Sequence, residues 1–322
     1  MTGPLITSVD LREFRGIRAC KEPIRLGRFT ILIGRNNSGK TSVLEAIALL
    51  PPCDFDSEIR FVPLGWTWRQ FMNAIHSGVP SLVYGYTGKG EIRYTVRGEE
   101  LRLPLSEARP SWEATKSEVA RLLEVGEDEL GTSVLLLPNS TVFLARLADG
   151  LRKEGEWAKV EKSGANTAVV RDLISRAVRD RFTEATVRFN SIVLRKELPD
   201  GRVIYVKTAD LGNGVERILL YGLWLETYKP KVILWDDIEA SAHPGLIEAV
   251  LEWLASRDWQ VILTTHSYDV LDRLAAVGPE DATVVVLKKG PDDILEPRYL
   301  GLDELREMLE SHIDIRRVVD IL

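Results

Sequence analysis

The sequence predicts an α/β protein built on a mainly parallel sheet with helices on both faces. Three observations carry that prediction. From about residue 206 onward, short strands apolar on every face alternate with helical patterns. A glycine-rich turn, residues 34–41, joins an apolar strand directly to a helix. The chain is also large enough for a real core: 322 residues, 45% apolar and 28% charged, which excludes a disordered tail or a collagen-like repeat.

The elements follow in order. Ile6–Leu11, Pro23–Leu26 and Phe29–Ile33 read as strands, and the last ends in Gly34. Thr41–Leu50 reads as a helix, with Val43, Leu44, Ile47 and Leu50 at helical spacing. Glu91–Val96 and Glu100–Leu105 read as paired strands around Arg97-Gly98. Helices are expected over Ser111–Leu123, Thr141–Arg152 and Val169–Thr186, the last on an apolar stripe through Val170, Leu173, Ile174, Ala177, Val178 and Phe182. Pro199-Asp200-Gly201 is turn chemistry joining Ser191–Leu198 to Arg202–Thr208 in a hairpin. Then come a helix (Gly214–Thr227), a strand (Lys231–Trp235), a helix (Pro244–Arg257) and a strand (Gln260–Thr264). A helix (Tyr268–Ala275), a strand (Ala282–Lys288) and a short helical tail complete the chain.

Several classes are excluded. No apolar run approaches the roughly 18–20 residues that span a bilayer, and the N-terminus lacks the charged-then-apolar pattern of a secretory signal. Two cysteines, Cys20 and Cys53, cannot build a disulfide framework or a zinc site alone. A cytoplasmic location is expected. The net charge of −6 means that any contact with a polyanion must be local.

Four motifs carry chemistry. Gly34-Arg35-Asn36-Asn37-Ser38-Gly39-Lys40-Thr41 fits G-x-x-x-x-G-K-[ST], the phosphate-binding loop, and lies between strand and helix as that loop requires. Its backbone N–H groups and the positive helix end cradle phosphate, Lys40 reaches the β- and γ-phosphates, and the Thr41 hydroxyl ligates Mg²⁺. Val232–Trp235 is an apolar strand that delivers Asp236 and Asp237 to the sheet edge, the first for metal and the second to orient or deprotonate water. Gly212-Asn213-Gly214 opens a helix and offers a second nest of backbone donors. One chain has little use for two such cradles unless a second copy supplies one of them. Finally, Thr264-Thr265-His266-Ser267 places a histidine at the end of the next strand, within reach of a γ-phosphate.

In this order the motifs resemble the ABC-type ATPases, and within them the SMC–RecF–OLD branch, which includes the stand-alone relatives of the overcoming-lysogenization-defect (OLD) proteins. Val9-Asp10-Leu11-Arg12-Glu13-Phe14-Arg15-Gly16-Ile17 looks like that branch's opening strand. Ile33 to Ser42 is close to its phosphate loop, and Asp236-Asp237-Ile238-Glu239-Ala240-Ser241-Ala242-His243-Pro244 is similar to its D-E-P-E-x-x-L-H-P. The resemblance covers about residues 5–50 and 208–290.

It implies a P-loop ATPase of ABC-head type with an N-terminal antiparallel subsheet. Residues 1–50 and 206–290 would form the ATPase core, 51–205 an inserted helical and hairpin lobe, and 291–322 the helical tail. It also implies ATP and Mg²⁺ as ligands, and a head-to-tail homodimer with each nucleotide between one copy's phosphate loop and the other copy's Leu211–Arg217, Gly212, Asn213 and Gly214 among them. Arg15 would approach the nucleotide and Gln70 would sense the metal. The family's glutamate is Asp237 here, about 1.5 Å shorter by one carbon–carbon bond, so slow ATP hydrolysis is expected. Ile238 and Ala242 replace the usual proline and leucine, and Leu211-Gly212-Asn213-Gly214 lacks the Ser-Gly-Gly-Gln of transporter ATPases, which argues against a membrane pump.

Two kinds of work fit such a switch. One is on nucleic acid, in repair or in defence against mobile elements. Two Arg/Lys clusters would serve it: Arg15, Arg18, Lys21, Arg25 and Arg28, and Arg171, Arg176, Arg179 and Arg181. Both clusters also fit an ordinary salt-bridged surface. The other is control of a separately encoded effector protein, such as a nuclease. No acidic cluster after residue 290 resembles a nuclease centre, and none is expected within this chain.

Overall fold

The computed structural model describes residues 3–51, 64–75, 78–107 and 110–313. Cys53 and the end of the C-terminal tail lie outside the described residues. The chain opens with β1 (Ile6–Phe14), β2 (Ile17–Cys20), β3 (Ile24–Arg25) and β4 (Phe29–Ile33), followed by α1 (Lys40–Ala48) and α2 (Trp68–Ile75). A hairpin of β5 (Lys89–Val96) and β6 (Glu99–Ser106) precedes α3 (Lys116–Leu123), α4 (Leu130–Ser133) and β7 (Val134–Leu137). Next come α5 (Thr141–Leu151), α6 (Glu154–Ser163), α7 (Ala165–Val169), a π-helical turn at Val170–Ile174, and α8 (Ser175–Val178). β8 (Phe182–Arg188), β9 (Ser191–Glu197) and β10 (Val203–Lys207) form a small sheet of their own, in the order β10-β9-β8. The last third holds α9 (Asn213–Tyr228), β11 (Val232–Trp235), α10 (Pro244–Ala255), β12 (Gln260–Thr264) and α11 (Tyr268–Val277). It closes with β13 (Ala282–Lys289), β14 (Ile294–Gly301) and α12 (Leu302–Glu310).

The main sheet has eleven strands, in the order β6-β5-β1-β2-β14-β13-β4-β12-β11-β7, with β3 on β1. Its functional half, β13-β4-β12-β11-β7, is wholly parallel. Every residue of β4, β11 and β12 is buried, as strands covered on both faces must be. The register aligns Leu32 with Thr264 and Trp235 with Leu263. The ends of β4, β11 and β12 therefore open at one edge, where ligands bind in open parallel sheets. The other half is an antiparallel subsheet of β6, β5, β1 and β2, joined to the parallel half through β14.

Residues 51–205 contribute directly to the main sheet: β5 and β6 extend its antiparallel side, and β7 pairs with β11. The helices from α5 to α7 pack on α9 instead. Trp68 and Phe71 are buried, and Phe71 meets Phe143 edge-on at 5.9 Å. Phe143 in turn touches Trp224 at 5.7 Å, so these rings belong to the core.

Two expected elements differ. The helix anticipated over Val169–Thr186 ends at Val178, where Arg179 turns left-handed (φ 53°), and Phe182–Arg188 is a strand. A bulge between Phe182 and Glu184 puts Phe182 and Ala185 on one buried face, three residues apart, and that spacing imitates a helix. The region after residue 290 is not purely helical either. It begins with β14, whose Pro297 faces Leu287 while β14 meets β2 only at Ile294 and Leu295. A proline is tolerated there because its missing N–H falls on an open edge.

Candidate nucleotide site

The phosphate loop rests on a position only glycine can fill. Gly34 has φ 155°, and a Cβ there would lie 2.4 Å from the Leu287 carbonyl and 2.5 Å from the Ser38 hydroxyl. That tight turn carries the chain to α1, whose first residue is Lys40. Lys40 is 5% exposed and donates to the carbonyls of Gly34 (3.0 Å) and Arg35 (3.1 Å). Burial lowers its pKa, opposed by the charges of Asp237, Asp236 and Glu239. The Ser38 hydroxyl is buried in the loop with no hydrogen-bond partner. A buried cation folded onto carbonyls and an orphaned hydroxyl donor are what an incoming phosphate would satisfy.

Opposite the loop, Thr41 donates to both Asp236 oxygens at 3.1 and 3.2 Å. Thr264, wholly buried at the end of β12, donates to Asp236 Oδ1 at 2.7 Å, and the same hydroxyl accepts the Asp237 N–H at 2.8 Å. Burial pushes the Asp236 carboxyl up to about 6; the Thr264 and Thr41 hydrogen bonds oppose this and the charge of Asp237 adds to it. A buried carboxylate beside a threonine hydroxyl fits a hard divalent cation that takes its other ligands from phosphate and water. Among the described residues no group of three or more His, Cys, Asp or Glu could hold a metal alone. Thr41 and Asp236 are the two side chains that would hold Mg²⁺.

Asp237 has a left-handed backbone (φ 46°) that turns its carboxylate toward two neighbours. His266 Nε2 lies 3.7 Å from its Oδ1, and Asn139 Nδ2 donates to its Oδ2 at 3.3 Å. Sequence reasoning missed Asn139. It follows β7, the strand beside β11, so strand order alone brings it to Asp237. Gln70, expected at the metal, bonds Thr67 and makes no hydrogen bond to Thr41 or Asp236. It belongs to α2, and its side-chain oxygen accepts the Thr67 N–H (3.0 Å) while its own N–H goes to the Thr67 hydroxyl (3.2 Å). That reciprocal pair is a helix-capping box, which occupies the amide.

The glycine nest is welded to the Asp236–Ala242 turn of its own chain. A Cβ on Gly214 would lie 2.1 Å from the Ser241 carbonyl oxygen, so α9 and that turn pass in backbone contact. Arg217, 4% exposed, donates to the carbonyls of Asp236 (2.9 Å), Ala240 (3.1 Å) and Asp237 (3.3 Å). Gly212 and Asn213 are exposed, and no side chain caps the helix they open. Neither lines a cavity at the phosphate loop of its own chain.

Two cavities flank the loop. The first, about 510 Å³, has Asn37, Gly39 and Ser42 on one side and Arg15, Tyr84, Tyr86 and Lys289 on the other. Arg15 lines it half-buried, 2.9 Å from Glu45; desolvation lowers the guanidinium pKa and Glu45 opposes that. The second, about 340 Å³, is lined by Arg35, Asn36, Asn37 and Ser38 and by the turn after β13. Part of each basic cluster is paired with acidic groups. Arg18 faces Asp292, Lys21 bonds Glu296, Arg25 stacks on Tyr299, and Arg28 is buried on the Arg257 carbonyl. In the second cluster Arg171 pairs with Asp172, and Arg176 lies 3.8 Å from Glu252.

A phosphate loop at the end of β4, a carboxylate pair on β11, a histidine after β12 and an antiparallel subsheet together define an ABC-type P-loop ATPase. The chain belongs to the family described as "AAA domain, putative AbiEii toxin, Type IV TA system", whose pattern matches residues 29–272. Solved structures agree on the fold. The Smc head of Pyrococcus furiosus with an extended coiled coil, bound to the C-terminal domain of ScpA, superposes with TM-score 0.59 at 13% identity, over 96% of this chain and 99% of that one. An Smc head bound to the C-winged helix domain of ScpA gives TM-score 0.63 at 14% identity, over 94% and 100%. The SMC head of Thermotoga maritima gives 0.51 at 16% identity, over 92% and 99%. At such identities the likeness is one of fold. No curated protein matches the chain. Among the described residues no helix is long and apolar enough to cross a membrane.

Proposed function

We propose that this protein is an ATP-gated switch: two copies close head-to-tail around two nucleotides and reopen when ATP is hydrolysed. The observation that carries the proposal is the exposed, uncapped start of α9 at Gly212-Asn213, whose inner side is locked to the turn bearing Asp236 and Asp237. A phosphate seated on that nest by a second copy would be felt directly at the carboxylates. The chain has its own cradle in Gly34–Thr41, so the outward-facing one is left for a partner's nucleotide.

Within each site, Lys40 would hold the β- and γ-phosphates, and His266 would steady the γ-phosphate. Thr41 and Asp236 would hold Mg²⁺, which supplies charge neutralisation and orientation of the phosphate oxygens. Asp237 is the base that would orient a water and take its proton, with Asn139 fixing its carboxylate. The short side chain makes turnover slow, since about 1 Å of misplacement costs on the order of 10²-fold in rate.

The exposed ion pairs of Arg18, Lys21 and Arg171 take up part of both basic clusters, which supports an effector protein as the object of the switch beside nucleic acid. Size measurement with and without ATP, on wild type and Asp237→Asn, tests the closure, and repeating it with DNA tests the choice of object. DNA binding that falls steeply with salt and disappears in Arg176→Glu/Arg179→Glu would favour the nucleic-acid reading instead.

A further inference from the structure

The strap that walls the first cavity is pinned to two neighbours through Leu82, Val83 and Tyr84 and takes a strained turn just after them. On one side Val83 forms an antiparallel bridge with Phe14, and the Arg15 N–H bonds the Leu82 carbonyl at 3.0 Å. On the other, the Tyr84 hydroxyl donates to Asp293 Oδ2 at 2.7 Å. Asp293 in turn lies 2.9 Å from Lys289, and Lys289 bonds the Gly16 carbonyl at 2.9 Å. Directly after these anchors the chain takes two successive left-handed residues, Gly85 (φ 64°) and Tyr86 (φ 67°). A left-handed glycine costs nothing, but a left-handed tyrosine is an outlier that only its surroundings sustain. The result is a large aromatic ring, 63% exposed, at the mouth of a cavity whose far wall is Asn37, Gly39 and Ser42.

We propose that Tyr86 is the stacking platform for the nucleotide's base, with the first cavity as the nucleoside pocket. The inference rests on the reading that a triphosphate occupies Gly34–Thr41. Given that reading, the cavities described beside the loop are the places for the nucleoside. Only the first presents aromatic rings; the second is lined by loop polar groups and the turn after β13. At about 510 Å³ the first is also within the ordinary range for a small-molecule site. The Tyr84 hydroxyl is tied to Asp293, whereas Tyr86 is the more exposed ring at the mouth. Arg15 and Lys289 line the same wall, each paired with a carboxylate, Glu45 and Asp293.

The test compares ATP with inorganic tripolyphosphate, which carries the phosphates without a base, by titration calorimetry. Stacking on an aromatic ring predicts that Tyr86→Ala weakens ATP on the order of tenfold, leaves tripolyphosphate unchanged, and that Tyr86→Phe restores ATP. Tyr86→Gly, which also relaxes the backbone, should behave as Tyr86→Ala. In Tyr86→Trp, fluorescence added over wild type should be quenched by ATP and not by tripolyphosphate. Unchanged ATP affinity in Tyr86→Ala, or equal losses for both ligands, overturns the platform while the triphosphate reading stands. If Lys40→Ala leaves both affinities unchanged, or if wild type binds neither ligand, the triphosphate reading itself fails and the platform with it.

Discussion

Arg217 is the sharpest point at which stability and chemistry should break together. It is 4% exposed and holds three carbonyls of the metal-binding turn, at 2.9, 3.1 and 3.3 Å. A hydrogen bond to a charged group contributes about 1.5–3 kcal/mol, so three of them, the longest weak, amount to roughly 5 kcal/mol gross. Against that stands the several kcal/mol cost of burying a guanidinium, which Arg217→Met removes while leaving the carbonyls unpaired. The net expectation is about 3 kcal/mol of destabilisation for Arg217→Met, and about half that for Arg217→Lys, which keeps the charge but not the fork. Urea unfolding followed by tryptophan fluorescence measures it, and ATP turnover should fall in step because Asp236 and Asp237 lose their clamp. Arg217→Met within about 0.5 kcal/mol of wild type, the range of an ordinary surface change, and with normal turnover would refute the reasoning.

Other expectations follow from the same geometry. Asn139→Ala should lower turnover by about tenfold or more, as befits loss of a group that positions a catalytic base, whereas Gln70→Ala should leave turnover unchanged; the reverse pattern would restore Gln70 to the site. Asp237→Glu should raise turnover, by up to about 10²-fold if reach is the limiting defect, and steady-state phosphate release decides it. Burial pushes the Cys20 thiol from 9.0 up to about 12, so its thiolate fraction at pH 8 is about a thousandfold lower. Iodoacetamide labelling at Cys20, read by peptide mapping, should therefore be very slow in the folded protein and ordinary in urea. Rapid labelling of folded Cys20 would contradict that burial.

Much of the ATPase core was legible because its signals are local. Gly34 and Lys40 are fixed by the backbone of one turn, and the wholly buried strands β11 and β12 show in the sequence as unbroken apolar runs. The elements missed are those whose meaning is non-local. Val134–Leu137 is only four residues long, and nothing in its neighbourhood says that it will pair with Val232–Trp235. Asn139 reaches Asp237 only through that pairing, and nothing local to Asn139 marks it as part of the site. The bulge in β8 gave a strand the spacing of a helix, and Pro297 disguised β14. Gly214 was legible as a required glycine, but its close neighbour, the Ser241 carbonyl of the same chain, appears only once the fold has brought α9 against the carboxylate turn.

The most direct measurement is the solution mass of Asp237→Asn by light scattering, without nucleotide and then with saturating ATP and Mg²⁺. Without nucleotide the protein should run as one copy; with it, as twice that mass, and Gly212→Glu, which puts a carboxylate at the open nest, should abolish the doubling while leaving ATP binding to the phosphate loop intact. A protein that binds ATP yet keeps a single mass, or that doubles equally well in Gly212→Glu, would contradict the account.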